Sequence, residues 1–185
     1  MVVWNEIRPK KDKQDWHKLV WSSLSIPKHT VISWMAILNR LPTLDQMASW
    51  GMEVNGECRL CQGAMESRDH LFFSCSYSKE VWCSILQLCG LSRRVRSWSE
   101  ELAWAVMKLR GKALLSIVMR LAWRASIYYI WRERNRKIHG QISNNAEKIV
   151  EQVKKDIRFR TISLKNIVND PVNCSICSNW GLKFV

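Results

Sequence analysis

Residues 58–75 read CRLCQGAMESRDHLFFSC, and the fold hangs on how that run is interpreted. Cys58 and Cys61, then eight residues, His70, four more and Cys75 give the pattern C-x2-C-x8-H-x4-C. A C-x2-C turn sets two sulfurs on one side of a metal, and the H-x4-C return supplies the other two vertices of the tetrahedron that Zn²⁺ accepts. Four protein ligands leave no position for water, so the spacing predicts a structural zinc and no chemistry at the metal. The alternative is a set of buried reduced thiols that happen to lie near a histidine. Glu57, Arg59, Gln62, Glu66 and Asp69 surround the four residues, and so polar a loop suits a metal site better than an apolar core.

On either side of this loop, helix signals recur and strand signals do not. Thr30 can cap a helix whose Val31, Trp34, Met35, Leu38 and Leu41 form one apolar face, with Pro42 ending it. Thr43 and Gln46 make a capping box for a short helix that stops at Gly51. After the loop, Ser78 can cap a helix with Val81, Trp82, Ile85, Leu86 and Cys89 inward, closed by Gly90, and Ser97 with Glu100 opens another that runs to about Arg110. Residues 112–139 contain no proline and no internal glycine, the longest helical candidate, roughly 40 Å if unbroken. Asn144 with Glu147 caps a last amphipathic helix reaching about Lys165, with Ile149, Val153, Ile157 and Ile162 on one side. The expectation is a mainly α protein in which a zinc-stapled Cys/His loop is followed by a long basic helix. Its expected divisions are a zinc-binding region over 1–90, a basic helical region over 91–170 and a tail over 171–185.

Composition narrows the function. The 185 residues carry 29 Lys+Arg against 16 Asp+Glu, a formal charge of +13, and an apolar fraction of 47% that is too high for a disordered basic tail. The excess is lopsided, with 16 basic against 5 acidic residues in 106–185. No apolar run reaches the ~18 residues of a membrane helix, and charges interrupt the N-terminal stretch where a signal peptide would be apolar. These features predict an intracellular protein of nucleus or cytoplasm, neither secreted nor membrane-bound. Seven cysteines, an odd number, argue against a complete disulfide framework. No glycine-rich phosphate loop or nucleophile elbow is present. His17, His29 and His139 have no carboxylate at useful spacing, and Glu100–Glu101 stands alone, so no catalytic residue is assigned. Cys83 and Cys89 fall on an apolar helix face, and Cys174 and Cys177 form a second C-x2-C without a following pair.

On the long helix, Arg120, Arg124, Ile127, Trp131 and Arg134 fall within about 80° of one another at 100° per residue. One interpretation of this stripe is a nucleic-acid surface with arginines on phosphates and Trp131 on a base. The other is a packed helix whose arginine stems cover a half-buried Trp131. On the first, the candidate contacts are Arg120, Arg124, Trp131, Arg132, Arg134, Arg136 and Lys137, with RNA or DNA as partner and no small-molecule substrate.

The run WHKLVW…IPKHTVISWMAILNRLPTLDQMASWG…CRLCQGAMESRDHLFFSCSYSKEVW, over about residues 4–82, closely resembles the zinc-binding domain that follows the polymerase in plant non-LTR (LINE-type) retrotransposon reverse transcriptases. IWRERNRKIHG at 130–140 is similar to the basic helix after that domain, and the likeness extends more weakly to about residue 165. The resemblance places the metal ligands on Cys58, Cys61, His70 and Cys75, the four already selected by spacing. It implies a C-terminal fragment of a retroelement protein that lacks the polymerase's paired aspartates and the endonuclease. Two functions follow as expectations: a non-catalytic nucleic-acid-binding accessory module, or a structural module that packs on the rest of the polyprotein.

Overall fold

The computed structural model describes residues 14–165 and 167–183, so the start of the resemblance at Trp4 lies outside the described residues. The chain is mainly helical, and among the described residues the extended pairing is a single antiparallel bridge between Glu57 and Met65. In chain order the helices are α1 (His17–Val20), α2 (Pro27–Ile37), α3 (Leu44–Ser49), a π-helical turn (His70–Ser74), α4 (Ser76–Leu88), α5 (Trp98–Lys108), α6 (Leu114–Ile138), α7 (Ala146–Thr161) and α8 (Pro171–Trp180).

Helix α6 is the axis. It packs on α2 and on α7, and α7 packs in turn on α4, which carries the π turn at its N-terminal end. Most of α6 is buried, from Val118 through Ile127 and on to Ile130 and Trp131, because neighbours cover it on several sides. Trp98 joins the two halves: its ring lies 5.5 Å from Phe72, 5.6 Å from Phe73 and 6.0 Å from Trp123. One continuous apolar cluster therefore runs from Leu19 to Leu182, through both regions that composition separates.

Several local signals translate directly. Val81, Trp82, Ile85 and Leu86 of α4 are buried, and Gly90 follows in the left-handed conformation at φ 69°, where a β-carbon is disfavoured. The Ser97–Glu100 capping box opens α5. Elsewhere the structure differs from expectation. Helix α2 begins at Pro27, and it turns His29, Thr30, Ser33 and Ala36 inward while Val31 and Leu38 are exposed. Small side chains let α2 approach α6 closely, with the Ser33 hydroxyl donating to the Arg124 carbonyl oxygen at 3.4 Å. Trp34 is displaced to the flank, 6.4 Å from Trp21. The cap of α3 is also not the expected box: Asp45 accepts from the Thr43 hydroxyl and the Gln46 N–H, while Glu66 accepts from the Leu44 N–H. Ser78 lies inside α4 and donates to the Leu71 carbonyl. Asn145, not Asn144, caps α7. Ile162 is exposed beyond the end of α7. Residues expected as a tail form α8, which Asp170 caps and Gly181 closes, with Trp180 fully buried.

Candidate metal centre

The backbone around the first two cysteines folds back on itself. Cys58 N–H donates to the Ala64 carbonyl, Glu66 N–H to that of Gly56 and Gln62 N–H to that of Cys58, a tight knuckle in which Gln62 takes φ 52°. The second pair is set by the π turn. In an α-helix, residues five apart point about 140° away from each other. A π turn closes i to i+5, and here Cys75 N–H donates to the His70 carbonyl at 2.7 Å. The x4 spacing thus brings imidazole and thiol to one side.

These elements gather Cys58, Cys61, His70 and Cys75 so that their ligating atoms all lie within 4.8 Å of one another. The Cys61 sulfur is 3.3 Å from Nε2 of His70, so Nε2 is the inward nitrogen. A zinc with Zn–S bonds near 2.3 Å asks for ligand separations of about 3.8 Å in a regular tetrahedron, within reach of this cluster by small side-chain movements. Protonation points the same way. The hydrogen bond with Cys75, reinforced by burial, holds the Cys58 thiol far above the ordinary cysteine range, and the same bond draws Cys75 below it. A dication bound between them would hold both buried sulfurs as thiolates. Burial lowers the His70 pKa, keeping the ring neutral and able to ligate.

Two contacts tie this centre to α6, and both use side chains expected to face nucleic acid. Arg134 donates from Nε and Nη2 to the Glu66 carboxylate at 2.6–3.2 Å, and both side chains are almost wholly buried. Lys137 donates from Nζ to the Leu60 carbonyl, inside the C-x2-C knuckle, at 3.1 Å. The sequence reading missed this role for Glu66. Its only signal was an acid placed between ligand pairs in a loop with no call for one.

The expected basic stripe of α6 is not brought together as a surface. Arg124 is 1% exposed and donates to the carbonyls of Leu19 and Val20 and to the Ser22 hydroxyl. Burial, with Arg120 nearby, lowers it to about 10, still charged at neutral pH. Trp131 is 7% exposed and lies under the Arg134 guanidinium, 4.7 Å away. Arg120, half-buried, donates to the carbonyls of Leu109 and Gly111. Arg132 and Arg136 remain half-exposed, the first over the Tyr129 ring at 4.5 Å and the second donating to the Ile142 carbonyl. The physical reason is that neighbours enclose α6 on several sides, so Arg124 and Arg134 serve the interior as partners of carbonyls and of the Glu66 carboxylate.

Cys83 is half-buried and Cys89 buried on α4, whereas Cys174 is exposed and Cys177 half-buried on α8. No helix of the described residues is long and apolar enough to cross a membrane.

The fold and site define a helical module with a closed thiolate–imidazole metal centre. Residues 2–82 match the model of a family described as zinc-binding in reverse transcriptase, which supports a reverse-transcriptase zinc-binding domain in that part of the chain. No curated protein and no solved structure matches the chain. The family is an accessory zinc-binding domain and not the catalytic polymerase domain. Zinc is accordingly the cofactor, and Cys58, Cys61, His70 and Cys75 form its potential site.

Proposed function

We propose that this chain is a zinc-stabilised, non-catalytic module that binds RNA or DNA in the service of a retroelement reverse transcriptase, of the plant non-LTR, LINE-type group that residues 4–82 resemble. It acts in the nucleus or cytoplasm, where template RNA and target DNA are met. The observation that carries this reading is the charge left at the surface. Of the 16 basic side chains in residues 106–185 only Arg124 and Arg134 are buried, so most of the +13 is available to phosphate. Lys and Arg contacts to a nucleic-acid backbone supply affinity that is tolerant of sequence and falls with salt. The test is a titration of zinc-loaded protein with single-stranded RNA and with duplex DNA at 50 and 200 mM salt. Binding that weakens steeply with salt is expected; no binding to either at the lower salt would refute the reading.

A second reading rests on a different observation. Trp21, Val31, Trp50, Met52 and Met65 are large apolar side chains left exposed. Such side chains suit docking on the remainder of the polyprotein. A pull-down with the polymerase segment, lost on changing Trp50→Ser and Met65→Ser together, tests it.

A further inference from the structure

A basic cleft lies at the N-terminal end of α6, whereas the zinc loop meets Arg134 and Lys137 at the other end of the helix. Near the start of α6 there is a cavity of about 470 Å³ lined by Lys112, Arg120 and the hydroxyl-bearing Ser22, Ser23 and Ser163, with Ile117 among its apolar walls; no acidic residue lines it. Arg124 donates to Ser22, one of the lining serines, at 3.2 Å, and its Nε and Nη2 have no hydrogen-bond partner among the described residues. A buried guanidinium without a carboxylate, behind serine hydroxyls and two further cations, is an environment short of negative charge.

Further cations follow from α2, α6 and α7. The loop that carries Ser22 and Ser23 also carries Ser25, whose carbonyl accepts from Arg160 of α7 at 2.7 Å. Lys28 comes next, its Nζ 5.2 Å from the centre of the Tyr128 ring, and Arg132 reaches the same ring at 6.0 Å. His29 lies buried beside this track against Tyr128 and Tyr129. Burial, with the charges of Lys28, Arg124, Arg132 and Arg160, pushes its pKa down to about 3, although the Asp156 carboxylate lies 3.4 Å from its Nε2. The carboxylates nearby are engaged: Asp156 accepts from the Tyr129 hydroxyl, Glu133 is buried and accepts from Asn144, and Asp170, in the adjoining cavity that shares Lys112, accepts from Asn173. Arg120 to Arg132 spans roughly 18 Å of helix, long enough for several nucleotides of one strand.

We propose that this cleft is the seat of a single nucleic-acid strand, with the Lys112–Arg120–serine cavity taking one phosphate-bearing nucleotide and Lys28, Arg132 and Arg160 holding the phosphates that flank it. The cavity is of the size that small ligands occupy, and its apolar walls suit a base or sugar while the serines and cations suit phosphate. The inference rests on the nucleic-acid reading above and assigns that reading a surface distinct from the zinc loop.

The experiment compares zinc-loaded wild type, the triple variant Lys28→Glu, Lys112→Glu, Arg160→Glu, the cavity-filling Ser163→Trp, and a charge-matched control, Arg94→Glu, Lys148→Glu, Lys183→Glu, whose residues lie outside the cleft. The probe is a fluorescent single-stranded RNA of twelve nucleotides; zinc content and circular dichroism verify folding. The cleft triple is expected to bind at least tenfold more weakly at 50 mM salt and to lose about two from the slope of log affinity against log salt, as three lost single-strand phosphate contacts require. Ser163→Trp is expected to weaken binding several-fold with the salt slope unchanged. Photocrosslinking of wild type to thiouridine-containing RNA, which needs no variant to fold, is expected to label residues 22–28, 112–132 or 160–163. Equal losses in the cleft triple and the control, or crosslinks confined to residues 58–75, would overturn this site while leaving nucleic-acid binding intact. A wild type that binds no single-stranded RNA would overturn this site, and one that also binds no duplex DNA would overturn both.

Discussion

Between residues 56 and 75 the chain makes a knuckle, a bridge and a π turn around four polar ligands, whereas α6 is an uninterrupted helix of 25 residues sunk among Trp98, Ile149 and Val153. The first region has irregular backbone and depends on donor atoms meeting at a point; the second has regular backbone and depends on apolar area. A structural zinc contributes folding energy directly, while buried aromatic and aliphatic side chains stabilise in proportion to the area they remove from water. The contrast shows where each half is vulnerable. Removing one atom, the metal, disables the first, and only changes to the packed interior disable the second.

Chelation should therefore give the largest effect. Structural zinc sites in small peptides are worth about 10–16 kcal/mol at neutral pH, so a strong chelator, or Cys75→Ser, is expected to abolish zinc binding and amide-exchange protection over residues 56–75. Protection in the middle of α6 should persist. If both regions lost protection together in hydrogen-exchange mass spectrometry, the two would be one cooperative unit and the contrast would fail.

A smaller effect is expected at the seam. Removing one partner of a buried ion pair costs about 3–5 kcal/mol, because the other charge is stranded. Glu66→Gln and Arg134→Met should each lower the urea midpoint substantially, while the double variant should recover much of the loss. Strictly additive losses in the double-mutant cycle would show that the pair does not couple the zinc loop to α6.

The smallest of the three lies well away from the seam. Ser97→Ala removes the side-chain half of the α5 capping box and should cost about 1 kcal/mol, with zinc content unchanged. A loss of zinc in that variant would mean that α5 and the π turn, which pack together, support the metal more directly than a cap can.

Much of this was readable from residues alone. The four ligands, the inward face of α4, Gly90 after it and the Ser97 box all rest on local spacing, and local spacing is what backbone geometry obeys. The inward face of α2 was not legible, because Thr30, Ser33 and Ala36 are buried for their small size and not for apolarity. The arginines of α6 misled for a related reason. Helical periodicity says which residues share a face, but when neighbours cover several faces it does not say which face meets water. Helix α8 had a signal that went unread: Asp170 before Pro171, and Gly181 ten residues on, are a start and a stop. The Cys, Ser and Asn residues between them show no apolar stripe strong enough to announce a helix.

The clasp of Arg134 on Glu66 and Lys137 on Leu60 bears on how this molecule can be dissected or grafted. Cutting after the segment that matches the family, at residue 82, would keep every metal ligand yet strand a carboxylate in an apolar setting and leave the knuckle without its lysine. A transplant of the zinc loop into another scaffold would need the last two turns of α6 to travel with it, although more than fifty residues separate them in the chain. The transferable piece is thus discontinuous, a loop plus a distant helical end.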